Sequence, residues 1–334
     1  MKSTIGCFLI AFFGVSTSVN ATPPAYAVTD LGLAQEAVSI NNSGEVLAYN
    51  EAGRVSVFWK GGFTRDLNLL PTFLTTCQYT AADSPLSLST GGLNDRGAVV
   101  LTAQPIHDPF SDCVVVYERN ALQYQQTLGN GGLATGINNA GQIIGLLTQE
   151  PFLVGFGPAC DFIRSGNFIT AEAINDSAQI VGNSSAGAEL CTNAVWQVIP
   201  APPGATFLYG RAINKKGQVV GDADVADGPH AFLYSHGKTR DLGTLPGATY
   251  TSAGSINARS QVVGVSGTAT GSTDFIYEDG KMYDLAALVS ATDPYKFFVL
   301  EGLGDPHIDD LGVIATTGPD ALGASHVYIL TPIR

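Results

Sequence analysis

Short apolar runs alternate with glycine-rich polar segments along most of the chain, and one junction between them recurs. An aliphatic residue precedes Asn, two turn-forming residues, usually Gly, a polar or small residue and a second aliphatic run. Seven copies place the Asn, or an Asp in the last copy, at positions 41, 94, 138, 175, 214, 257 and 309. Their mean spacing of about 45 residues is the period of a four-stranded propeller blade and exceeds that of a solenoid rung.

Further apolar runs follow each copy, so each repeat unit is predicted to form four β-strands. In the fifth unit we expect strands over 209–213, 218–221, 230–234 and 239–242. Tight turns join these strands in pairs, because Asn accepts a local backbone N–H and Gly tolerates the positive φ that ends such a turn. The repeated Asn is therefore predicted to be a turn cap, and not one member of a ring of ligands.

The two ends of the repeat array complement each other. Segment 26–32 precedes the first Asn copy, and its Asp30-Leu31-Gly32 repeats the fourth-strand text Asp241-Leu242-Gly243, whereas the last unit ends at a third strand over 327–330. A spare strand and a missing strand can complete one mixed blade, which removes exposed sheet edges. The prediction is an all-β chain with a single domain over 22–334, a seven-bladed β-propeller of four-stranded blades closed by its N-terminal strand.

The repeat text resembles that of the extracellular HAF-repeat family, which is named for a His-Ala-Phe motif. The motif stands intact once, as His230-Ala231-Phe232, with Thr-Arg-Asp-Leu-Gly-Thr-Leu following at 239–245. Through the Ile-Asn-x-x-Gly-Gln-Val-Val-Gly text the resemblance extends over nearly the whole chain after residue 21. It implies a secreted repeat protein, and it brings no assigned reaction or catalytic residue.

The N-terminus has the form of an export signal. Lys2 precedes an apolar run over 5–15 and the small-x-small sequence Val19-Asn20-Ala21, which predicts a signal peptide over 1–21 cleaved after Ala21. The expected location is therefore secreted or periplasmic. No later segment approaches the ~20 apolar residues of a membrane-spanning helix. The net charge of −13 repels phosphate groups, so we expect no nucleic-acid partner and no membrane partner. We also expect a monomer.

Four cysteines remain after this cleavage, an even number in an oxidising compartment, and disulfides are expected. All four lie in or beside segments predicted as long loops. Among the three possible pairings we favour Cys77–Cys113, which both belong to the second unit, and Cys160–Cys191, which lie at similar positions of adjacent units. Their spacing does not fit a zinc site, because no C-x-x-C is present and no His follows at ligand distance.

The long segments between second and third strands, and between units, are predicted to share one face of the propeller, where recognition is expected. One of them carries Asp222, Asp224 and Asp227, and three carboxylates in a loop are a candidate calcium site. Calcium is the one cofactor that the sequence suggests. The competing interpretation is a solvated acidic loop without a metal.

The same face carries candidates for binding and for catalysis. The candidate catalytic residues, an acid–base and cation set, are His107, Arg211 and Tyr250, and the candidate ligand-binding aromatic residues are Tyr209, Phe297 and Phe298. We expect a binding or interaction module for a carbohydrate or protein ligand, acting through the face that bears the long loops. The alternative is an extracellular carbohydrate-active enzyme, a polysaccharide lyase or hydrolase, that uses the same face.

Overall fold

Small antiparallel sheets in a propeller arrangement make up the described part of the chain. The computed structural model describes residues 25–34, 36–49, 55–59, 64–67, 86–105, 112–118, 121–129, 132–147, 150–154, 160, 163–164, 167–296 and 306–333. In these residues the only regular helical segment with named bounds is a 3-10 turn over Leu285–Leu288, capped by the Asp284 side chain. The predicted all-β class is therefore confirmed.

The described strands are numbered in chain order. In the first half they are β1 (Ala25–Leu33), β2 (Glu36–Ile40), β3 (Glu45–Tyr49), β4 (Val55–Trp59), β5 (Thr64–Asp66), β6 (Leu86–Leu93), β7 (Ala98–Pro105), β8 (Asp112–Glu118), β9 (Ala121–Gly129), β10 (Leu133–Ile137), β11 (Ile143–Leu147), β12 (Glu150–Val154), β13 (Ile163–Arg164) and β14 (Asn167–Phe168). In the second half they are β15 (Thr170–Ile174), β16 (Ile180–Ser184), β17 (Gly187–Thr192), β18 (Val195–Val198), β19 (Phe207–Ile213), β20 (Val219–Val225), β21 (Gly228–Ser235), β22 (Lys238–Gly243), β23 (Tyr250–Ile256), β24 (Val262–Thr268), β25 (Gly271–Glu278), β26 (Lys281–Asp284), β27 (His307–Ile308), β28 (Ile314–Pro319) and β29 (Ser325–Ile333).

Six of the sheets have four strands. Five of these are meanders in chain order, β2–β5, β6–β9, β15–β18, β19–β22 and β23–β26, and the sixth has the order β1-β29-β28-β27. The third repeat unit forms a three-stranded sheet, β10–β12, and the two-stranded sheet β13–β14 follows it. The first strands of consecutive sheets contact one another from β2 through β6, β10, β15, β19 and β23 to β27, and β27 also contacts β2. The first strands thus surround a common axis.

The N-terminal strand pairs with the C-terminal one. β1 is antiparallel to β29, with Tyr26 opposite Pro332 and Val28 opposite Leu330. Tyr26 is 1% exposed and packs in a cluster with Tyr328 and with the core side chains of the preceding sheet. Apolar side chains from adjoining sheets fill the other intersheet spaces in the same way, because alternate residues of each strand face the neighbouring sheets.

A β-bulge interrupts the first strand of six sheets, each time three residues before the repeated Asn. The bulged residues are Val38, Gly91, Thr135, Glu172, Arg211 and Gly254. A bulge turns one side chain away from the regular alternation and twists the strand locally. It also explains the glycine of the Val-Val-Gly text, since a Cβ on Gly221 would collide with the displaced carbonyl oxygen of Tyr209.

Several segments expected to be long loops are short hairpin turns. The four strands of the fifth unit lie where the sequence predicts them, but β20 continues to Val225 and β21 begins at Gly228. The connections β16–β17 and β24–β25 are equally short. The prediction of long loops at 183–193, 222–229 and 265–273 is therefore wrong, because alternating residues there extend the strand pairing almost to the turn.

One predicted disulfide is confirmed. Cys160 and Cys191 are bonded, with their Cα atoms 6.4 Å apart, and they join the segment after β12, in the third repeat unit, to β17 of the fourth unit. Cys113 is also disulfide-bonded, while Cys77 lies outside the described residues. Within the described ranges, no helix is long and apolar enough to cross a bilayer.

Candidate functional site

At one end of the axis lie the seven Asn or Asp turns. In six of the seven turns the Asn or Asp Oδ1 accepts backbone N–H groups two and four residues ahead, as Asn214 Oδ1 does from Lys216 and Gln218 at 3.0 Å. Gly at the fourth position adopts positive φ, for example +71° at Gly217. The predicted role of the Asn as a turn cap is confirmed. The Asn Nδ2 group donates a further hydrogen bond, to the backbone carbonyl of the Asn or Asp in the next unit, and this distance is 2.9 Å from Asn214 to Asn257. Sequence reasoning missed this bond between units.

The residue after each Asn forms a second polar ring at this end. The seven residues are Asn42, Asp95, Asn139, Asp176, Lys215, Ala258 and Asp310. Asn42 donates through Nδ2 both to Asp95, at 2.9 Å, and to Asp310, at 3.1 Å. Lys215 extends its ammonium to Asp310 at 2.6 Å and approaches Asp95 at 3.9 Å. We call this set of seven residues the axial ring.

The axial ring contains three carboxyl groups, of Asp95, Asp176 and Asp310, and one ammonium group, that of Lys215. The hydrogen bond to Asp310 raises the pKa of Lys215. Burial opposes ionisation of Asp310, but the bonds from Lys215, from the Ala258 N–H and from Asn42 outweigh it and lower the pKa of that carboxyl. The small cavity here, about 170 Å³, is therefore lined by polar groups that already have partners.

The histidine of the His-Ala-Phe text has a structural partner. His230 Nδ1 lies 2.9 Å from Asp241 of the adjoining strand, and Asp241 accepts the Gly243 N–H at 2.7 Å. His326 makes the same contact with Asp30 at 2.9 Å, across the β1–β29 pairing. The repeated His and Asp thus fix the fourth strand and the turn after it.

Away from the axial ring, β15 and β19, the first strands of the fourth and fifth repeat units, border a cleft of about 400 Å³. Its lining comprises Glu172, Asn183, Tyr209, Gly210, Arg211, Asp222, Asp224 and Pro229, and we call it the interblade cleft. Two of these residues, Glu172 and Arg211, occupy bulge positions. Asn183 ties the two sheets together, accepting the Gly210 N–H at 2.8 Å and donating to its carbonyl at 3.1 Å.

Aromatic and acidic side chains face each other in the cleft. In the pairing of β19 with β20, Phe207 lies opposite Asp224 and Tyr209 lies opposite Asp222. Directly paired residues project from the same face of a sheet. The rings of Phe207 and Tyr209 are 4.7 Å apart, and Tyr209 is 47% exposed. The result is an accessible aromatic pair beside two carboxylates.

Arg211 and Asp222 form an ion pair in this cleft. The Arg211 Nε donates to Asp222 Oδ2 at 2.6 Å. Burial raises the pKa of Asp222, and the charge and hydrogen bond of Arg211 act in the opposite direction, together with Ser252 and the Ala253 backbone nearby. Asp222 is 8% exposed, and its other oxygen, Oδ1, is buried, with the Ser252 side chain and the Ala253 backbone N–H close to this carboxyl group.

The structure brings together some of the candidate site residues. Tyr209 and Arg211 share the interblade cleft, whereas Tyr250 begins the next sheet and does not line that cleft. His107, Phe297 and Phe298 lie outside the described residues. The convergence of His107, Arg211 and Tyr250 at one catalytic centre thus stays a prediction.

The three candidate calcium ligands have different surroundings. Asp222 is paired with Arg211, Asp224 lines the cleft, and Asp227 lies in the hairpin turn with Oδ1 3.8 Å from His230 Nε2. Among the described residues no group of three or more His, Cys, Asp or Glu side chains could hold a metal ion. Calcium binding by this hairpin stays a prediction, and the cationic neighbour of Asp222 does not favour it.

Sequence reasoning missed Glu172 and Asn183. A comparison of the residues three positions before each repeated Asn could have found the first of them, because the bulge falls there in every unit that has one. Of the six bulge residues only Glu172 and Arg211 are charged, and they belong to consecutive units. Asn183 has no such signal, since its role depends on contact between two sheets.

No protein-family model matches the chain, and no curated protein sequence matches it significantly. The extracellular domain of a hybrid two-component system of B. thetaiotaomicron is 12% identical, with a TM-score of 0.50 over 91% of this chain and 40% of its own. PorZ, a surface component of the type-IX secretion system of Porphyromonas gingivalis, is 10% identical, with a TM-score of 0.48 over 92% of this chain and 39% of its own. A gluconolactonase of Xanthomonas campestris is 8% identical, with a TM-score of 0.43 over 94% of this chain and 96% of its own. The chain spans about two fifths of the length of the first two, and the first likeness concerns the fold alone.

Proposed function

We propose that this chain is a secreted seven-bladed β-propeller, built on the repeat of the HAF family, that binds carbohydrate in the interblade cleft. The observation that carries the binding proposal is the exposed Tyr209 ring, paired with Phe207 and facing Asp222 and Asp224. Sugar rings present an apolar face to an aromatic side chain and hydroxyl groups to carboxylates and amides. The cleft presents an aromatic ring together with carboxylate and amide groups on β-strands.

The seven-bladed ring is supported by contacts at both ends of the chain. Asn42 in the first turn contacts Asp95 in the second and Asp310 in the last, and the Asp310 N–H donates to Asn42 Oδ1 at 2.8 Å. β27 contacts β2, and β1 pairs with β29. In this proposal the three described strands β10–β12 belong to the third blade, and β1 closes the ring as the outer strand of the last.

Secretion is supported by the disulfide chemistry. The Cys160–Cys191 bond requires an oxidising compartment, since cytosolic thiols are kept reduced. The apolar segment 5–15 and Ala21 supply a signal that would bring the chain there. N-terminal sequencing of the exported protein, expected to begin at Thr22, tests this part of the proposal.

A glycan array tests the binding function. We expect the protein to bind a subset of immobilised oligosaccharides, and Tyr209→Ala to lose that signal, because the substitution removes the stacking surface. Leu322→Ala is the matched control, since Leu322 is 93% exposed and lies in a turn outside the cleft. An array on which the parent protein binds nothing, or on which both variants bind equally, would overturn the proposal.

The alternative, an extracellular carbohydrate-active enzyme, is favoured by one observation. Burial raises the pKa of Asp222, and a carboxyl group of this kind beside other carboxylates is the pattern of acid catalysis in glycoside hydrolysis. Mass spectrometry of the bound oligosaccharides after incubation tests it. Shortened products that Asp222→Asn fails to form would replace the binding proposal with the enzymatic one.

A further inference from the structure

We infer that the carbohydrate recognised by the interblade cleft carries a free, protonated amine, as an amino sugar does. The inference rests on the proposed binding function and names its ligand class. It excludes a polyuronate, whose carboxylates would meet like charges in the cleft.

The fixed charges of the cleft favour a cationic ligand. Three carboxylates, Glu172, Asp222 and Asp224, line it, against the single guanidinium of Arg211. Arg211 is engaged with Asp222 at 2.6 Å, so that it neutralises one of the three. The cleft therefore has a net formal charge of −2, and it attracts a cation and repels an anion.

The hydrogen-bonding groups of the cleft also favour a ligand that donates hydrogen bonds. Glu172 Oε1 already accepts from Thr170 at 2.6 Å and from Asn183 at 3.2 Å. Asp224 is exposed, so its carboxylate is open to the cleft. An ammonium group, which has three donors and no acceptor, matches these acceptors.

The aromatic pair of Phe207 and Tyr209 can bind a sugar ring beside these carboxylates. Tyr209 and Phe207 lie directly opposite the two aspartates, within reach of a single sugar ring. A cation held beside the face of an aromatic ring gains from the ring's quadrupole as well as from the carboxylates. One hexosamine unit can therefore stack on Tyr209 and place its amine towards Asp222 and Asp224.

The experiment compares a glucosamine hexamer with its fully N-acetylated form and with a galacturonate oligomer, by isothermal titration calorimetry at about pH 5.5. We expect the free-amine hexamer to bind at least tenfold more tightly than the acetylated one, and the uronate not to bind. Asp224→Asn should remove most of this preference, while Asp227→Asn should leave it unchanged. Asp227 is a suitable control because it belongs to the same hairpin but does not line the cleft.

Two results would overturn the inference in distinguishable ways. Equal or tighter binding of the acetylated hexamer, or binding of the uronate, contradicts the amine and leaves carbohydrate binding intact. Binding of none of the three, together with an empty glycan array, contradicts the proposed function as well.

A separate observation concerns the Asn turns at the other end of the axis. We infer that Asp309 is protonated in the folded protein and that its Oδ2 donates to the backbone carbonyl of Asn41, which would complete a ring of seven hydrogen bonds. Six turns already make the equivalent bond through Nδ2, at 2.9 to 3.0 Å. Only in the last turn is the Asn replaced by Asp.

The contacts of Asp309 leave one oxygen for this role. Its Oδ1 accepts the Leu311 and Val313 N–H groups at 2.8 Å each, as the Asn Oδ1 does elsewhere. Its Oδ2, in the position of the Asn Nδ2, is buried and has no partner, and the residue is 4% exposed. A carboxylate oxygen can only accept, whereas a carboxylic acid supplies the missing donor.

The surroundings favour the acid form on balance. Burial raises the pKa of Asp309, and the neighbouring Asp310 adds to that effect, against the opposing backbone hydrogen bonds from Val313, Leu311 and Gly312. The other charged groups near this point are Lys215, which is bound to Asp310, Glu45 in the first turn, and Arg259 and Glu278 in the preceding sheet. Tyr26 of β1 completes the titratable set.

Because the folded protein then binds a proton that the unfolded chain releases, stability should fall as pH rises from the ordinary Asp pKa through the raised one. Asp309→Asn supplies a permanent donor, so we expect it to raise the thermal midpoint by about 2 °C at pH 8 and to flatten the pH dependence. Asn257→Asp is the matched opposite, and should introduce a second loss of stability over the same pH range.

The protonation state can also be observed directly. With ¹³C-labelled aspartate, the carboxyl resonance that disappears in Asp309→Asn should titrate above the ordinary Asp range. A resonance that titrates at or below that range, or an Asp309→Asn variant whose pH dependence equals the parent's, would overturn the inference.

Discussion

The two ends of the propeller axis differ in how completely their polar groups are partnered. At the axial ring, six of the seven turns are tied to the next turn through the Asn Nδ2 bond, and Lys215 pairs with Asp310 within the ring. In the interblade cleft, the exposed side chains of Tyr209 and Asp224 have no such hydrogen bonds to neighbouring residues in the described part of the chain. Internally satisfied groups stabilise a scaffold, whereas groups left open on rigid strands are available to a ligand.

The same strand contributes to both ends. Tyr209, Arg211 and Asn214 all belong to β19 or to the turn after it, about 16 Å separating the first and last at ~3.3 Å per residue. A short stretch of sequence thus has a variable part, which faces the cleft, and a repeated part, which forms the scaffold. Substitutions in the repeated part should therefore lower stability, and substitutions in the variable part should lower binding.

Asn214→Ala should have the largest effect on stability. The substitution leaves the buried N–H groups of Lys216 and Gln218 without their acceptor and removes the bond to the Asn257 carbonyl. We expect a loss of about 2–4 kcal/mol in the free energy of unfolding, measured by urea denaturation.

Tyr209→Ala, five residues earlier, is the comparison for that measurement. Its ring is 47% exposed, so the expected loss is below about 1 kcal/mol, while carbohydrate binding is abolished. A large destabilisation by Tyr209→Ala, or a negligible one by Asn214→Ala, would contradict the division between cleft and scaffold.

His326→Ala should have an intermediate effect. The His326–Asp30 pair links the two ends of the chain, whereas the equivalent His230–Asp241 pair links neighbouring strands of one hairpin. We expect each alanine variant to lose about 1 kcal/mol. Hydrogen exchange distinguishes them, since His326→Ala should accelerate exchange in β1 and His230→Ala only in β22. Unchanged exchange in β1 would show that this pair does not hold the N-terminal strand.

The sequence predicted the scaffold better than the site, for a physical reason. The Asn–Gly turns and the four strands of the fifth unit depend on local backbone preferences, which recur in every unit and can be compared within the chain. His326 escaped notice because Val327 and Tyr328 replace the Ala and Phe that follow His230. The chemistry of its contact with Asp30 is nevertheless the same as that of His230 with Asp241.

The cleft was only half predictable. Tyr209 and Arg211 were candidates because of their side-chain chemistry, but their convergence depends on a bulge and on contact with a second sheet. Three of the long loops that were expected to carry recognition, at 183–193, 222–229 and 265–273, are hairpin turns. Recognition on this face is therefore expected to involve strand residues, which pattern analysis assigns to scaffold.

Lys215→Met should have the smallest effect. The Lys215 side chain is 47% exposed, so its ion pair with Asp310 contributes less than about 1 kcal/mol. Since Lys215 helps to hold the pKa of Asp310 below its ordinary value, the stabilisation by the ionised carboxyl exists above the unfolded-state pKa and is lost as pH falls through the folded one. We expect Lys215→Met to reduce stability at pH 7 and to weaken this loss on acidification, both measured by thermal unfolding at low salt. Lys216→Met, in the same turn, is the control, and equal effects of the two substitutions would show that Lys215 is an ordinary surface lysine and not the internal counter-ion of the axial ring.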